Sequence, residues 1–146
     1  MKIFSTLLPL LLLYMGGSLE TVFTVKGTVE CQAHQKMFCY DLQLLELDNG
    51  ILTHDIVASL HRCRGGPIKE TFWIEGFQTY DGIADENYEV GIWVRHNCGG
   101  QEIAYLGSLG QVHINVKFWR KELRIDMSKH TIGYRNWTGF WKLGGE

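Results

Sequence analysis

The sequence predicts an all-β fold, an antiparallel sandwich of about seven strands. Apolar and polar residues alternate with period two in several separate segments. Glycine-rich and Asp-Asn-Gly turn signals fall between those segments. No segment carries a sustained helical stripe, so short strands with frequent turns point to a sandwich or barrel. Alternation, as opposed to solid apolar runs, favours antiparallel sheets with one wet face.

The elements follow in order. In "TVFTVKGTVEC", Phe23, Val25, Gly27, Val29 and Cys31 share one face. "FCYDLQLLELD" alternates through Tyr40, Leu42 and Leu44, then Leu45 and Leu47 change face, which predicts a bulge. Asp48-Asn49-Gly50 marks a turn. "ILTHDIVASLH" fits a strand or a short helix, and "RCRGGP" ends it, with Pro67 in a loop. "ETFWIEGF" aligns Phe72 with Ile74, and "YEVGIWVRH" aligns Tyr88, Val90, Ile92 and Val94. "QVHINVKFW" predicts one strand with Val112, Ile114, Val116 and Phe118 on one face and His113, Asn115 and Lys117 opposite. "LRID" and "HTIGYRNWTGFW" add short strands.

Residues 1–18 read as a secretory signal peptide: Lys2, an apolar run from Leu7 to Tyr14, then Gly16, Gly17 and Ser18. The run is shorter than the roughly 20 residues a membrane span needs. The expectation is a secreted chain with no transmembrane anchor, cleaved near Ser18, whose residues 19–146 form one domain. Without the leader, thirteen basic residues stand against sixteen acidic ones, with no basic cluster. Nucleic acid is an unfavoured partner, because phosphate binding needs grouped Lys and Arg.

Export changes the reading of Cys31, Cys39, Cys63 and Cys98. In an oxidising compartment an even set reads as disulfides, and four cysteines allow three pairings that spacing does not choose among. The pairs "HRC" (61–63) and "HNC" (96–98) hold zinc-type ligands, but tight Cys-x-x-Cys spacing is missing, so no metal and no cofactor is expected. Cys98 with His96 as base lacks a residue to orient the ring. Asp85 and Glu86 are adjacent acids in a loop, unlike the separated carboxylates of glycosidases. Asn136-Trp137-Thr138 is an N-glycosylation acceptor triplet. Trp93 and Trp119 alternate away from the apolar faces of their segments. They read either as a minor core or as an exposed patch for a partner.

"VKGTVEC", "TFWIEGF" and "YEVGIWVRHNC", in that order, resemble the transthyretin-like family of secreted nematode proteins over roughly residues 22–142. The residues that match are Val25, Gly27, Val29 and Cys31; Phe72, Ile74 and Gly76; and Val94, His96 and Cys98, followed by the alternating "VHINVKF". The chain departs from the family where a Gly-x-Pro turn follows the first cysteine, since "QAHQKMF" stands there, and it lacks the Ile-Pro-x-x-Tyr segment. The resemblance implies a transthyretin-like sandwich of immunoglobulin-like architecture and a bridge from Cys31 to Cys98. Cys39 and Cys63 then remain as the second pair. Gly99 and Gly100 would turn the chain away from the first bridge. An enzyme branch among transthyretin relatives needs a C-terminal Tyr-Arg-Gly-Ser, and here "YRN" at Tyr134–Asn136 departs from it.

These readings lead to a non-catalytic extracellular module that binds a protein or a small apolar ligand, with Trp93, Trp119, His96 and His113 as the binding residues. The alternative is an extracellular hydrolase built on His96, His113 and His130.

Overall fold

Nine strands make up the regular structure in the computed structural model, which describes residues 20–47, 54–79, 86–136 and 139–142. Residues 134–136 and 139–142 are described by backbone alone, and the leader expected over 1–18 lies outside the described residues. The strands are β1 (Glu20–Cys31), β2 (Phe38–Glu46), β3 (Asp55–Arg64), β4 (Ile68–Thr79), β5 (Asn87–His96), β6 (Ile103–His113), β7 (Phe118–Asp126), β8 (Thr131–Asn136) and β9 (Gly139–Lys142). They form a five-stranded sheet, β4-β1-β7-β8-β9, and a four-stranded sheet, β3-β2-β5-β6. This is the all-β sandwich the alternation predicts, with two more strands than expected. One pair, β1 with β7, is parallel.

The core lies between the sheets and is built from the alternating sets. Phe23, Val25, Val29 and Cys31 of β1 face Tyr40, Leu42 and Leu44 of β2 and Tyr88, Val90, Ile92 and Val94 of β5, all buried. Each such aliphatic or aromatic side chain contributes about 1.5–3 kcal/mol when fully buried. The predicted change of face in β2 is present as a register shift between Leu44 and Leu45 against β3. The ambiguous "ILTHDIVASLH" is strand from Asp55 onward. Tyr40 links the layers: its hydroxyl donates to Glu70 Oε1 of β4 at 2.5 Å. Arg64 Nε also holds Glu70, at 3.2 Å.

Two predictions fail in the same region. "QVHINVKFW" is not one strand. β6 ends at His113 and β7 begins at Phe118, with a turn between them. The Val116 amide donates to the His113 carbonyl at 2.9 Å, and the Asn115 amide donates to His113 Nδ1 at 3.1 Å. The turn carries the chain from one sheet to the other and resets the alternation. Phe118 is therefore exposed and Trp119 faces inward, the reverse of the expected phase. A second feature, unread in the sequence, is the bulge at Gly110. Val90 pairs with Gly110 and Gly91 with Ser108, so Leu109 has no opposite residue and turns into the core. Gly110 has φ 109°, which favours glycine.

Cys31 is bonded to Cys98, and Cys39 to Cys63. These are the pairs the family resemblance implies. By strand register all four sulfurs lie at one end of the sandwich, since Cys39 opposes Cys63 and Tyr40 opposes His96.

Candidate functional site

The outer face of the four-stranded sheet carries a line of polar and aromatic side chains. Residues 39 and 41 of β2 lie directly opposite 63 and 61 of β3, so Cys39, Asp41, His61 and Cys63 form a square on one face. His61 Nδ1 lies 2.5 Å from Asp41 Oδ1, and its Nε2 lies 3.5 Å from Cys63 Sγ. Arg95 of β5, opposite Asp41, holds the other carboxylate oxygen through Nε at 3.0 Å and Nη2 at 2.9 Å. Burial raises the Asp41 pKa, but the hydrogen bonds from His61 and Arg95 outweigh it and leave the carboxyl below its usual range. Arg95 also sits over the Trp93 ring, 5.4 Å from its centroid, and Trp93 is half-buried beside the exposed Leu106.

Cys39, His61 and Cys63 bring their donor atoms within 4.8 Å of one another. The zinc reading paired "HRC" with "HNC", whereas the fold pairs "HRC" with Cys39. Both sulfurs are tied up in the disulfide and offer no thiolate to a metal.

The outer face of the five-stranded sheet is apolar at its far end. Phe77 of β4 and Phe118 of β7 both register with Val22 of β1, and they are 62 % and 67 % exposed. Trp73, on the same side of β4, is 57 % exposed and borders a groove of about 430 Å³ lined also by Lys26, Thr28, Arg62, Thr71 and Glu122. The sequence held a signal for this patch. Aligning Phe72 with Ile74 as core already puts Trp73 on the opposite face.

The third cluster runs from a buried histidine to the surface, with Tyr105 half-buried and His130 exposed. His96 is buried, its ring stacks on His130 at 5.4 Å between centroids, and Tyr105 meets it edge-on at 5.9 Å. His96 Nδ1 accepts the Cys98 amide at 3.2 Å, so the histidine of the His-x-Cys motif orients the backbone at the buried bridge. Burial, and then the nearby His130, push the His96 imidazole down to about 4. An unfolded histidine titrates near 6.5. Between those values the unfolded chain takes a proton that the folded chain refuses, so stability is expected to fall as pH drops from 6.5 toward 4. The loss should reach about 2 kcal/mol by about pH 5 and about 3 kcal/mol in full. Urea unfolding at neutral and acidic pH measures it, and His96→Gln should remove most of the slope.

The expected binding residues are therefore scattered. Trp93 stands on the outer face. Trp119 packs edge-on against Phe23 at 5.8 Å and belongs to the core boundary. His96 is enclosed and so presents no binding surface. His113 is exposed but serves the turn that follows it. β5 and β6 do pair, but His113 opposes Asn87 while His96 opposes Ile103. Nine residues along a strand separate the two positions by about 30 Å. His96 and His130 meet, and His113 does not join them. Asn136 is described by backbone alone, opposite Gly139, and Trp137 and Thr138 lie outside the described residues. Asp85 also lies outside them, while the Glu86 carbonyl accepts the Ile114 amide at 3.0 Å.

Among the described residues no helix is long and apolar enough to cross a membrane. In solved structures, the chain is similar to a crystal structure from Bacteroides ovatus ATCC 8483 named "putative cell adhesion protein". The likeness has a TM-score of 0.34 and 11 % identity, over 87 % of this chain and 46 % of that one. Among curated proteins, it is similar to "Uncharacterized protein B0416.7" of Caenorhabditis elegans, 36 % identical over 81 residues. That alignment covers 56 % of this chain and 58 % of the relative, so the chain spans a little over half the relative's length. A family model matches residues 26–130, from within β1 to the turn after β7. The chain belongs to that family, described as Caenorhabditis elegans protein of unknown function (DUF870).

Proposed function

We propose that the chain is a secreted, transthyretin-like module that works outside the cell by binding a protein or a small apolar ligand, with no catalysis in that role. The observation that carries this reading is the row Phe77, Val22, Phe118, with Trp73 beside it. Large aromatic side chains standing in solvent on one sheet face mark an interaction surface more often than a neutral one. Two bridges in a chain with a leader-like start support export. The transthyretin-like part rests on the shared motif residues and on the Cys31–Cys98 bridge, which that resemblance implies.

The test has two arms. Expression in animal cells should deliver to the medium a chain beginning near residue 19, read by intact mass. Titration with fluorescent apolar ligands and with extracellular-fluid proteins should then give saturable binding, weakened about tenfold or more by Phe77→Ser with Phe118→Ser. A chain retained in the cell, or binding indifferent to both substitutions, would overturn the reading. Both positions are exposed, so these variants should keep the wild-type unfolding curve.

A further inference from the structure

The two disulfides occupy opposite environments. Cys31 and Cys98 are buried at 0 % and 5 % exposure; the His96 ring there accepts the Cys98 amide at Nδ1 and is itself buried, and Ser128 Oγ lies 3.7 Å from Cys98 Sγ. Cys39 and Cys63 are half-buried on an outer face, beside a histidine whose side chain is 62 % exposed. That histidine is held by Asp41 through Nδ1, which leaves Nε2 directed at Cys63 Sγ. An oriented imidazole beside a sulfur is the arrangement that activates thiols and stabilises them as leaving groups.

We propose that Cys39–Cys63 is a thiol–disulfide exchange site for a small thiol, with His61 as the proton donor to Cys63 and Asp41 as its positioning residue. A thiolate attacks Cys39 Sγ, and the Sγ–Sγ bond breaks with its electron pair leaving on Cys63 Sγ. That sulfur takes the proton from His61 Nε2, and the ring recovers it from solvent. A second thiolate attacks the small-thiol sulfur of the mixed disulfide, and Cys39 leaves as a thiolate that solvent protonates. Two small thiolates are oxidised to one disulfide, and the bridge is reduced to two thiols with two protons taken up. Exchange runs faster when the leaving thiolate is stabilised, which is the role given to His61.

The charged groups around the ring fit that role. From β2, Asp41 accepts at Nδ1; from β5, Arg95 fixes Asp41. Arg62 and Arg64 of β3 turn to the other face, toward Glu70 of β4, and leave His61 to its carboxylate.

Folded full-length protein is treated with glutathione over a pH series, quenched by alkylation and mapped by peptide mass. Cys39 and Cys63 should label first, with Cys31 and Cys98 protected until denaturant is added. Per thiolate, the wild-type rate should fall with rising pH, because the step delivers a proton to Cys63 Sγ. His61→Gln should slow opening by about tenfold, less than the hundredfold typical of a shielded general acid. It should also flatten that pH profile, and Asp41→Asn should act in the same direction by less. Protection of Cys31–Cys98 in each variant serves as the check on folding. Equal opening of the two bridges would overturn the proposal, and so would a rate and pH profile indifferent to His61→Gln.

Discussion

Gly27→Ala is expected to destabilise the protein by about 3 kcal/mol, at the upper end of overpacking effects. A Cβ built at Gly27 would lie 1.9 Å from the Leu123 carbonyl oxygen and 2.8 Å from its carbon. Both atoms are backbone, in the strand that pairs parallel with β1, so no side chain can rotate away. Relief would require β1 and β7 to separate, while β1 is also paired with β4 along its whole length and β7 with β8. Gly133→Ala is the matched control. Its Cβ would come no closer than 3.7 Å to Arg124, and its φ lies outside the left-handed region, so it should be close to neutral. Urea unfolding of the two variants side by side decides the matter; equal midpoints would refute the close-approach account. The glycine of the Val-x-Gly motif is then explained by the distance between two strands.

Removing the buried bridge is expected to cost more. Cys31 and Cys98 are 67 residues apart in sequence, and Cys39 and Cys63 are 24 apart. The chain-entropy model gives about 4 kcal/mol for the first loop and about 3 kcal/mol for the second. Two further effects enlarge the difference. Alanine at 31 and 98 leaves space in the fully packed end of the core, beside Met127. It also frees the segment whose amide His96 orients. Alanine at 39 and 63 disturbs only an outer face. The double variant at 31 and 98 should therefore unfold at the lower urea concentration, and with the steeper slope, because freeing the longer loop exposes more surface in the unfolded chain. The reverse order would mean that the sheet surface, more than the interior, limits stability.

The sequence was most readable where one face of a strand is buried and the other is wet. In β1, β2 and β5 the period of two named the core residues directly, and the Leu44-Leu45 change of face announced its bulge. It was least readable where the chain changes sheets. Val112 to Phe118 alternates well enough to pass for a strand, because Ile114 and Val116 pack against the core from the turn as strand residues would. No local signal separates the two cases, and the error inverted the assignments of Phe118 and Trp119. The first part of β6 was missed for a related reason. "IAYLGSLG" is diluted by Gly107 and Gly110, and Leu109 enters the core only through the bulge.

The outer-face square was illegible for a different reason. Cys39 and Asp41 belong to one strand and His61 and Cys63 to the next, and the paired positions are 20 and 24 residues apart. Each pair reads as an ordinary i, i+2 spacing. Only the register of β2 on β3 makes them neighbours. His96 shows the opposite case, since the motif was visible but its enclosure by Tyr105 and His130 depends on distant parts of the chain.

Because every covalent tie sits at the Cys39 and Cys98 end, the molecule is fastened like a clasp knife at its heel. Local opening is expected to start at the tip, where Glu20 pairs with Thr79 and Val22 with Phe118, far from both crosslinks. The aromatic row thus lies at the end that neither bridge fastens, while the heel alone is tied covalently from one layer to the other.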